Sequence, residues 1–167
     1  MALTTSIVAQ VSAVHTNPVD LGTGTLPLSV QRMINLTSGT GANAADRLFS
    51  DTRTLAASGT EDLDLAGVLV DVFGTVLTFA RIKMILVSAA AANTNNVNVS
   101  RTTSNGVPLF LAATDGIPVR PGGLFLWAAP DATAVPVTAG TGDLLTVANS
   151  AGTTGVTYDI VIIGASA

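Results

Sequence analysis

The chain has 167 residues, of which 48% are hydrophobic and only 11% are charged, and its formal net charge is −4. Because a typical soluble domain is about one quarter charged, we expect a partner to cover much of this surface. The basic residues are dispersed and include one lysine, Lys83, which argues against nucleic-acid binding. The absence of cysteine excludes disulfides, thiolate metal sites and cysteine catalysis.

We expect neither a secretion signal nor a membrane span in this chain. Residues 1–10 lack a positively charged region followed by a long apolar core, so we expect no signal peptide. The longest apolar stretch, residues 84–92, is interrupted by Ser88 and is far shorter than the roughly 20 residues of a membrane helix. We therefore expect no membrane partner, and we interpret the glycosylation sequons at Asn35 and Asn98 as chance matches.

The first half of the chain alternates apolar and polar residues in short runs that predict β-strands. We expect Asn17-Pro18 to end the first strand, and residues 37–45 to form a flexible loop. In the run from Glu61 to Leu65, alternation places both leucines on one face and both aspartates, Asp62 and Asp64, on the other. The predicted strands here are residues 3–14, 26–36, 47–56 and 61–65.

The middle of the chain contains the strongest core segment, residues 76–88. Its apolar spacing predicts that Phe79, Ile82, Ile85 and Val87 are buried. The preceding residues 66–74 are ambiguous, because Leu69, Val72 and Phe73 have helical spacing between two glycines. We expect a single helical turn there.

The second half predicts further short strands, at residues 97–100, 108–112, 134–138 and 144–148. Residues 93–96 form a turn, and residues 117–127 form a hairpin around Pro121-Gly122-Gly123. The almost continuously β-branched run after Val156 ends with the chain, without the helix that a βαβ unit needs. It therefore predicts a last strand added to an antiparallel sheet.

Strands recurring about every ten residues with turns between them indicate a sandwich or jelly roll. We therefore predict an all-β fold, a β-sandwich of jelly-roll type, with at most one or two short helical turns. It forms one domain over residues 1–167, in which residues 1–46 are an N-terminal arm or attachment region.

Candidate reactive groups are few, and each is better explained structurally. His15, the only histidine, has no nucleophile or acid beside it in sequence, and proton transfer needs positioned partners. Glu61, Asp62 and Asp64 offer oxygen ligands that suit Ca²⁺, but they lack the glycine and the distal glutamate of a known calcium loop, so we expect a solvated strand face. We predict no catalytic, cofactor-binding or metal-binding residues.

Glycine-rich pieces and two large aromatic residues complete the candidates. The Gly-Thr-Gly segments at residues 22–24, 39–41 and 140–142 lack the Lys-Ser/Thr ending of a phosphate loop, so we predict turns. The terminal run 160–166 imitates the start of a dinucleotide fold but stops before any helix. Trp127 and Tyr158 suit an interface anchor or a sugar platform, and we expect core or hairpin packing for Trp127, which shares a face with Phe125.

Several turn and strand motifs carry a resemblance to a known group of proteins. They include Phe73-Gly-Thr-Val-Leu-Thr-Phe79 and Pro121-Gly-Gly-Leu-Phe125, with residues 54–67, 93–96, 142–147 and 156–164. Over about residues 47–167 the chain resembles small structural proteins of tailed bacteriophages and prophages, most of all capsid decoration (cement) proteins. The resemblance implies a β-sandwich that assembles as a trimer on the outside of a capsid shell, and it carries over no site residues.

We therefore expect a virion protein without enzymatic activity or cofactor, made in the bacterial cytoplasm and placed on the capsid surface. Its expected partners are the major capsid protein and further copies of itself in a homotrimer, with no nucleic acid and no membrane. One alternative is a phage tail, baseplate or fibre subunit. A second is a carbohydrate-binding β-sandwich module, which would need an aromatic platform.

Overall fold

The computed structural model describes residues 2–167, and within that range it contains strands, turns and loops but no helix. This confirms the predicted all-β class. The strands in chain order are β1 (Thr5–Val19), β2 (Gly22–Ser38), β3 (Ala44–Ala45), β4 (Arg47–Leu55), β5 (Thr60–Asp64), β6 (Ala66–Val70), β7 (Val76–Thr78), β8 (Arg81–Ala89), β9 (Val97–Ser100), β10 (Gly116–Val119), β11 (Leu124–Ala128), β12 (Val135–Pro136), β13 (Leu144–Asn149) and β14 (Val156–Ala165).

Two sheets pack face to face and enclose the main core. One has the strand order β10-β9-β13-β5, and the other has the order β11-β8-β14-β4 with β12 also paired to β8. Alternate residues of both sheets meet between them, among them Val99 and Val147 from the first sheet and Ile85, Val87 and Ile160 from the second. The arrangement is a β-sandwich, in which each inner face supplies every second side chain. Jelly-roll topology in the finer sense stays a prediction.

Strand β14 lies inside its sheet, paired antiparallel to β4 on one side and to β8 on the other. The last run of the chain therefore does join an antiparallel sheet, as predicted. Ile160 and Ile162 enter the sandwich core, whereas Val161 and Ile163 belong to a second apolar cluster on the outer face of the sheet. Burial on both faces explains why this run is apolar almost without interruption.

The first two strands form a long antiparallel ribbon that leaves the sandwich. All 15 residues of β1 pair with β2, from Thr5 opposite Leu36 to Val19 opposite Gly22. Asp20 and Leu21 make a tight turn at the tip. The ribbon joins the body only through its root, where β3 pairs parallel to the end of β2.

The predicted break at Asn17-Pro18 is wrong, because β1 runs through both residues, with Pro18 opposite Thr23. A strand tolerates proline where its missing N–H faces no neighbour. Strand β1 is the outer strand of its sheet, so its free edge accepts this residue. The predicted loop at residues 37–45 is likewise shortened, because its ends belong to β2 and β3.

The helical turn predicted within residues 66–74 is also wrong. This segment contains β6, which pairs with β7 in a small separate hairpin. Gly67 adopts a φ of 126°, which is not helical, and Leu69 is the one buried residue of β6, between exposed Val68 and Val70. Asp71 closes the turn of the hairpin by accepting hydrogen bonds from the backbone N–H groups of residues 73 and 75.

Two predictions in the second half need correction. Residues 117–127 form no hairpin, because β10 pairs with β9 in one sheet while β11 pairs with β8 in the other. The predicted turn does exist, with Gly122 at a φ of 71°, but it carries the chain across the sandwich. Residues 108–112 form a loop, and its carbonyl at Phe110 accepts a hydrogen bond from Arg101.

The predicted core segment is confirmed, since Phe79, Ile82, Ile85 and Val87 are all buried. The inward positions of Leu63 and Leu65 are confirmed as well. No helix able to cross a membrane occurs among residues 2–167.

A glycine of β14 that lies opposite a bulge in β8 provides a test of this packing. The register shifts between Ile163 and Gly164, and a Cβ on Gly164 would lie 2.6 Å from the Phe79 ring and against the backbone oxygen of Arg81. We expect Gly164→Ala to lower the free energy of unfolding by about 1–3 kcal/mol through overpacking. Gly41→Ala is the control, because a Cβ there meets nothing within 4 Å. Urea unfolding compares the two, and equal stability would contradict the packing at the bulge.

Candidate interaction surface

The two faces of the β1–β2 ribbon differ in chemistry. Residues opposite each other in antiparallel strands point to the same side, so the register sorts the side chains. One side, here called the apolar face, carries Ala9, Val11, Ala13, Leu26, Leu28 and Val30, together with His15 and Arg32. The opposite side is mostly hydroxyl and amide, interrupted by Val8, Val14, Met33 and two prolines.

The apolar face is buried at the root of the ribbon and exposed farther along it. At the root, Ile7 and Leu36 are buried on the outer face of the five-stranded sheet against Met84 and Ile163. Farther along the same face, Val11 is 59% exposed and Leu26 is 68% exposed. A two-stranded hairpin without a third strand or a packed face is marginally stable in water at best. The distal ribbon therefore lacks the cover that its root has.

A second uncovered apolar surface lies beside the root. It is a groove of about 360 Å³ lined mainly by Leu3, Leu48, Val72, Phe73 and Val76. Phe73 is 74% exposed at its rim. We call this surface the root groove. Contiguous exposed apolar surface of this kind marks interaction sites on soluble proteins.

Three charged residues line the root groove, namely Asp46, Arg47 and Asp71. Asp46 is paired with Arg47 at 3.2 Å. Asp71 makes hydrogen bonds to backbone N–H groups of its own turn, and no ion pair involves it among residues 2–167. The groove rim thus carries a carboxylate without a cationic partner in the described chain.

Lys83 holds the root of the ribbon in place. Its side chain is buried, and its ammonium donates hydrogen bonds to the backbone oxygens of Gly41 and Asp131. Burial lowers the pKa of Lys83, although the nearby Asp131 carboxylate opposes this effect. Arg81 adds a bond to the carbonyl of Thr40 at 3.1 Å. Both basic side chains therefore fasten the loop that follows β2 to the body.

The predicted acidic cluster is divided by the strand that carries it. Asp62 is exposed and accepts a hydrogen bond from Thr146, while Asp64 accepts one from the backbone of Ala66. Glu61 points elsewhere and contacts Arg53 and Tyr158. Among residues 2–167 no group of three His, Asp or Glu side chains is close enough to hold a metal ion.

Sequence reasoning missed the network formed by Arg53, Glu61 and Tyr158. Arg53 donates from Nε at 2.8 Å and from Nη2 at 2.5 Å to one carboxylate oxygen of Glu61, and the Tyr158 hydroxyl donates to the other at 2.6 Å. Asp51 accepts a further bond from Arg53 at 2.8 Å. The four residues come from β4, β5 and β14, so spacing along the chain gives no signal for the contact.

The pKa values in this network follow from burial and hydrogen bonding. Burial alone would raise the pKa of Glu61, but the bonds from Arg53 and Tyr158 and the Arg53 charge together lower it below 4.5. Burial, and then the bond to Glu61, raise the pKa of Tyr158 far above its ordinary value. The bond to Glu61 is also the main cause that raises the pKa of Arg53. The network is an ionised, satisfied link between the two sheets.

The remaining candidates are scattered. His15 lies exposed on the apolar face of the ribbon, opposite Leu26. Tyr158 is fully buried, and Trp127 is half-buried against the core beside Phe125, as expected from their shared face. The two large aromatic residues therefore form no exposed platform together.

The glycine-rich segments are turns or lie beside them. Gly140 has a φ of 72°, and its N–H bonds to Asp143. Residues 39–41 form a bend, whereas residues 22–24 are the first residues of β2, next to the tip turn. No helix follows any of the three among residues 2–167.

Comparisons of the chain with protein-family models, curated proteins and solved structures found no match. The apolar face of the ribbon, the root groove and the sequence resemblance support the proposal about function that follows.

The network predicts an acid-dependent loss of stability. A carboxylate whose pKa is lowered by folding stabilises the protein above its unfolded pKa of 4.5, and this contribution is lost as the pH falls through the lower folded value. We expect Glu61→Gln to reduce the free energy of unfolding near pH 7 and to flatten its decrease below pH 4.5. Urea unfolding across this pH range measures both effects. Asp20→Asn, at the ribbon tip, is the control, and an unchanged pH profile in Glu61→Gln would refute the role of Glu61.

Proposed function

We propose that the chain is a capsid decoration protein of a tailed bacteriophage. In this proposal it binds the outside of the shell as a homotrimer and stabilises the shell without catalysing a reaction. The observation that carries the proposal is the combination of a closely packed sandwich with a long ribbon whose apolar face, including Val11 and Leu26, is uncovered. Exposed apolar surfaces of this kind mark sites for protein partners.

The composition supports the same function. A chain with 11% charged residues is poorly suited to a free monomer, and assembly on a shell would cover much of its apolar surface. The turn and strand motifs between residues 47 and 167 resemble those of decoration proteins, and they occur on the sandwich rather than on the ribbon. The partners in this proposal are the major capsid protein and further copies of the chain, and the location is the virion surface.

The mechanism is preferential binding. A protein that binds the assembled shell, but not separated capsid subunits, shifts the equilibrium towards the intact shell. Each oligomer that spans neighbouring capsid subunits adds its binding free energy to the cost of separating them. A few kcal/mol for each oligomer, repeated over many copies, would make the shell much harder to open.

The test compares phage particles with and without the protein. Particles that lack it should assemble but release DNA at lower temperature, because the bound copies no longer oppose shell opening. Heat-induced DNA release, followed by a fluorescent dye, measures the difference. Adding back the purified protein should restore the higher release temperature, and an unrelated acidic protein at the same concentration is the control.

One combination of results would contradict the proposal. Identical release curves, together with immunolabelling of the protein on the tail, would exclude shell stabilisation and favour the tail-component alternative.

A further inference from the structure

We propose that the apolar face of the β1–β2 ribbon of one copy docks into the root groove of a second copy of this chain. The inference deepens the self-association in the proposed function, but it rests on surfaces of the isolated chain and requires no capsid. The donor surface consists of exposed ribbon residues such as Val11 and Leu28. The acceptor surface consists of the groove residues Leu48, Phe73 and Val76.

The ribbon cannot cover its own groove. Leu3, which lines the groove, immediately precedes the ribbon, so the groove lies at the root. The 15 consecutive residue pairs keep the ribbon extended, and at about 3.3 Å per residue its tip lies about 50 Å from its root. Within one copy, the exposed part of the ribbon therefore extends away from the groove, and both surfaces stay uncovered.

The available area sets the class of interface. The exposed part of the apolar face runs from Ala9 to Val19, so at about 35 Å long and about 10 Å wide it presents about 350 Å². A contact between this face and the root groove buries less than about 1,000 Å² in total and belongs to the weak, transient class of interfaces. Docking would also give the ribbon the packed face that a two-stranded hairpin requires.

The charges are complementary. The apolar face carries the Arg32 cation and no carboxylate, whereas Asp71 at the groove rim has no ion-pair partner within residues 2–167. A rim of opposite charge orients two surfaces whose central contact is apolar.

The contact joins two different patches, so it is heterologous. Contacts of this type close into rings when the rotation between copies allows it, and otherwise they continue as open filaments. Donation of one ribbon and acceptance of another by every copy is compatible with the trimer in the proposed function.

The first experiment removes apolar groups from one face at a time. Val11→Thr, Leu28→Thr and Val30→Thr together should weaken self-association by about 100-fold, because three buried apolar contacts are lost. The control combines Val8→Thr, Val14→Thr and Met33→Thr on the opposite face, which removes as many exposed apolar side chains. Sedimentation equilibrium measures both variants, and circular dichroism confirms that both fold.

The second experiment changes the acceptor. Phe73→Thr with Val76→Thr should weaken self-association to a similar degree. Val68→Thr with Val70→Thr is the control on the same hairpin, since these exposed residues do not line the groove. An equal loss of self-association in the groove variant and in the control variant would overturn the assignment of the groove as the acceptor surface.

Cysteine cross-linking tests the contact directly, because the natural chain has no cysteine. One variant carries Phe73→Cys, and a second carries a cysteine at Leu26, Leu28 or Val30 in turn. Mixing the two and oxidising them should yield a disulfide-linked dimer. Cysteines at Ser12 or Ser29 on the opposite face should give little.

The results separate this inference from the proposed function. A monomer at high micromolar concentration, or ribbon variants that keep their self-association but lose binding to shells, would overturn the inference and assign the ribbon to the capsid. Ring formation through the ribbon with unchanged DNA release would instead confirm the inference and contradict the decoration function.

Discussion

Burial of β14 on both of its faces is the constraint on which the rest of this structure depends. Ile160 and Ile162 fill the core between the two sheets, and Val161 and Ile163 supply the outer cluster. A strand buried on both sides needs apolar residues on both faces, and β14 has them over residues 160–163, whereas Asp159 before them is exposed. The five-stranded sheet therefore holds the sandwich core on one face and the ribbon root, against Met84 and Ile163, on the other. Gly164 is small because a Cβ there would meet the Phe79 ring.

The outer apolar cluster determines where the β1–β2 ribbon is attached to the sandwich. Ile7 and Leu36 cover the cluster, which fixes where the ribbon leaves the body, and Lys83 and Arg81 fasten the loop beyond β2 to the same place. The apolar side of the ribbon then continues past the edge of its own support. The root of the ribbon is therefore packed, whereas its distal part has no packed layer on either face within residues 2–167. In the docking proposed above, a second copy of the chain supplies that layer.

Local alternation was sufficient to predict much of the fold. It identified β4, β5, β9 and β13 and the buried residues of β8, because their side chains face a core on one side and solvent or a second layer on the other. It failed where pairing partners decide the outcome. Pro18 is tolerated because β1 has a free edge, and the turn at Gly122 joins two sheets rather than two paired strands.

The interaction surfaces were less predictable, because the exposure of a strand depends on which strands and layers lie beside it. The pattern of residues 3–14 shows a strand, but it does not reveal that the strand has only one neighbour and no layer beneath its far end. Residues 72 and 73 read as part of a helical stripe, whereas the hairpin exposes both. The contact of Glu61 with Arg53 and Tyr158 joins positions as far as 97 residues apart, and only the assembled sheets bring them together.

Hydrogen exchange of the β1–β2 amides over a dilution series is the most direct test that a partner copy completes this ribbon. We predict strong protection of the distal ribbon at high protein concentration and loss of that protection on dilution, while the amides of β8 and β14 stay protected throughout. A ribbon that exchanges rapidly at every concentration, or one that is equally protected in the dilute monomer, would contradict this account.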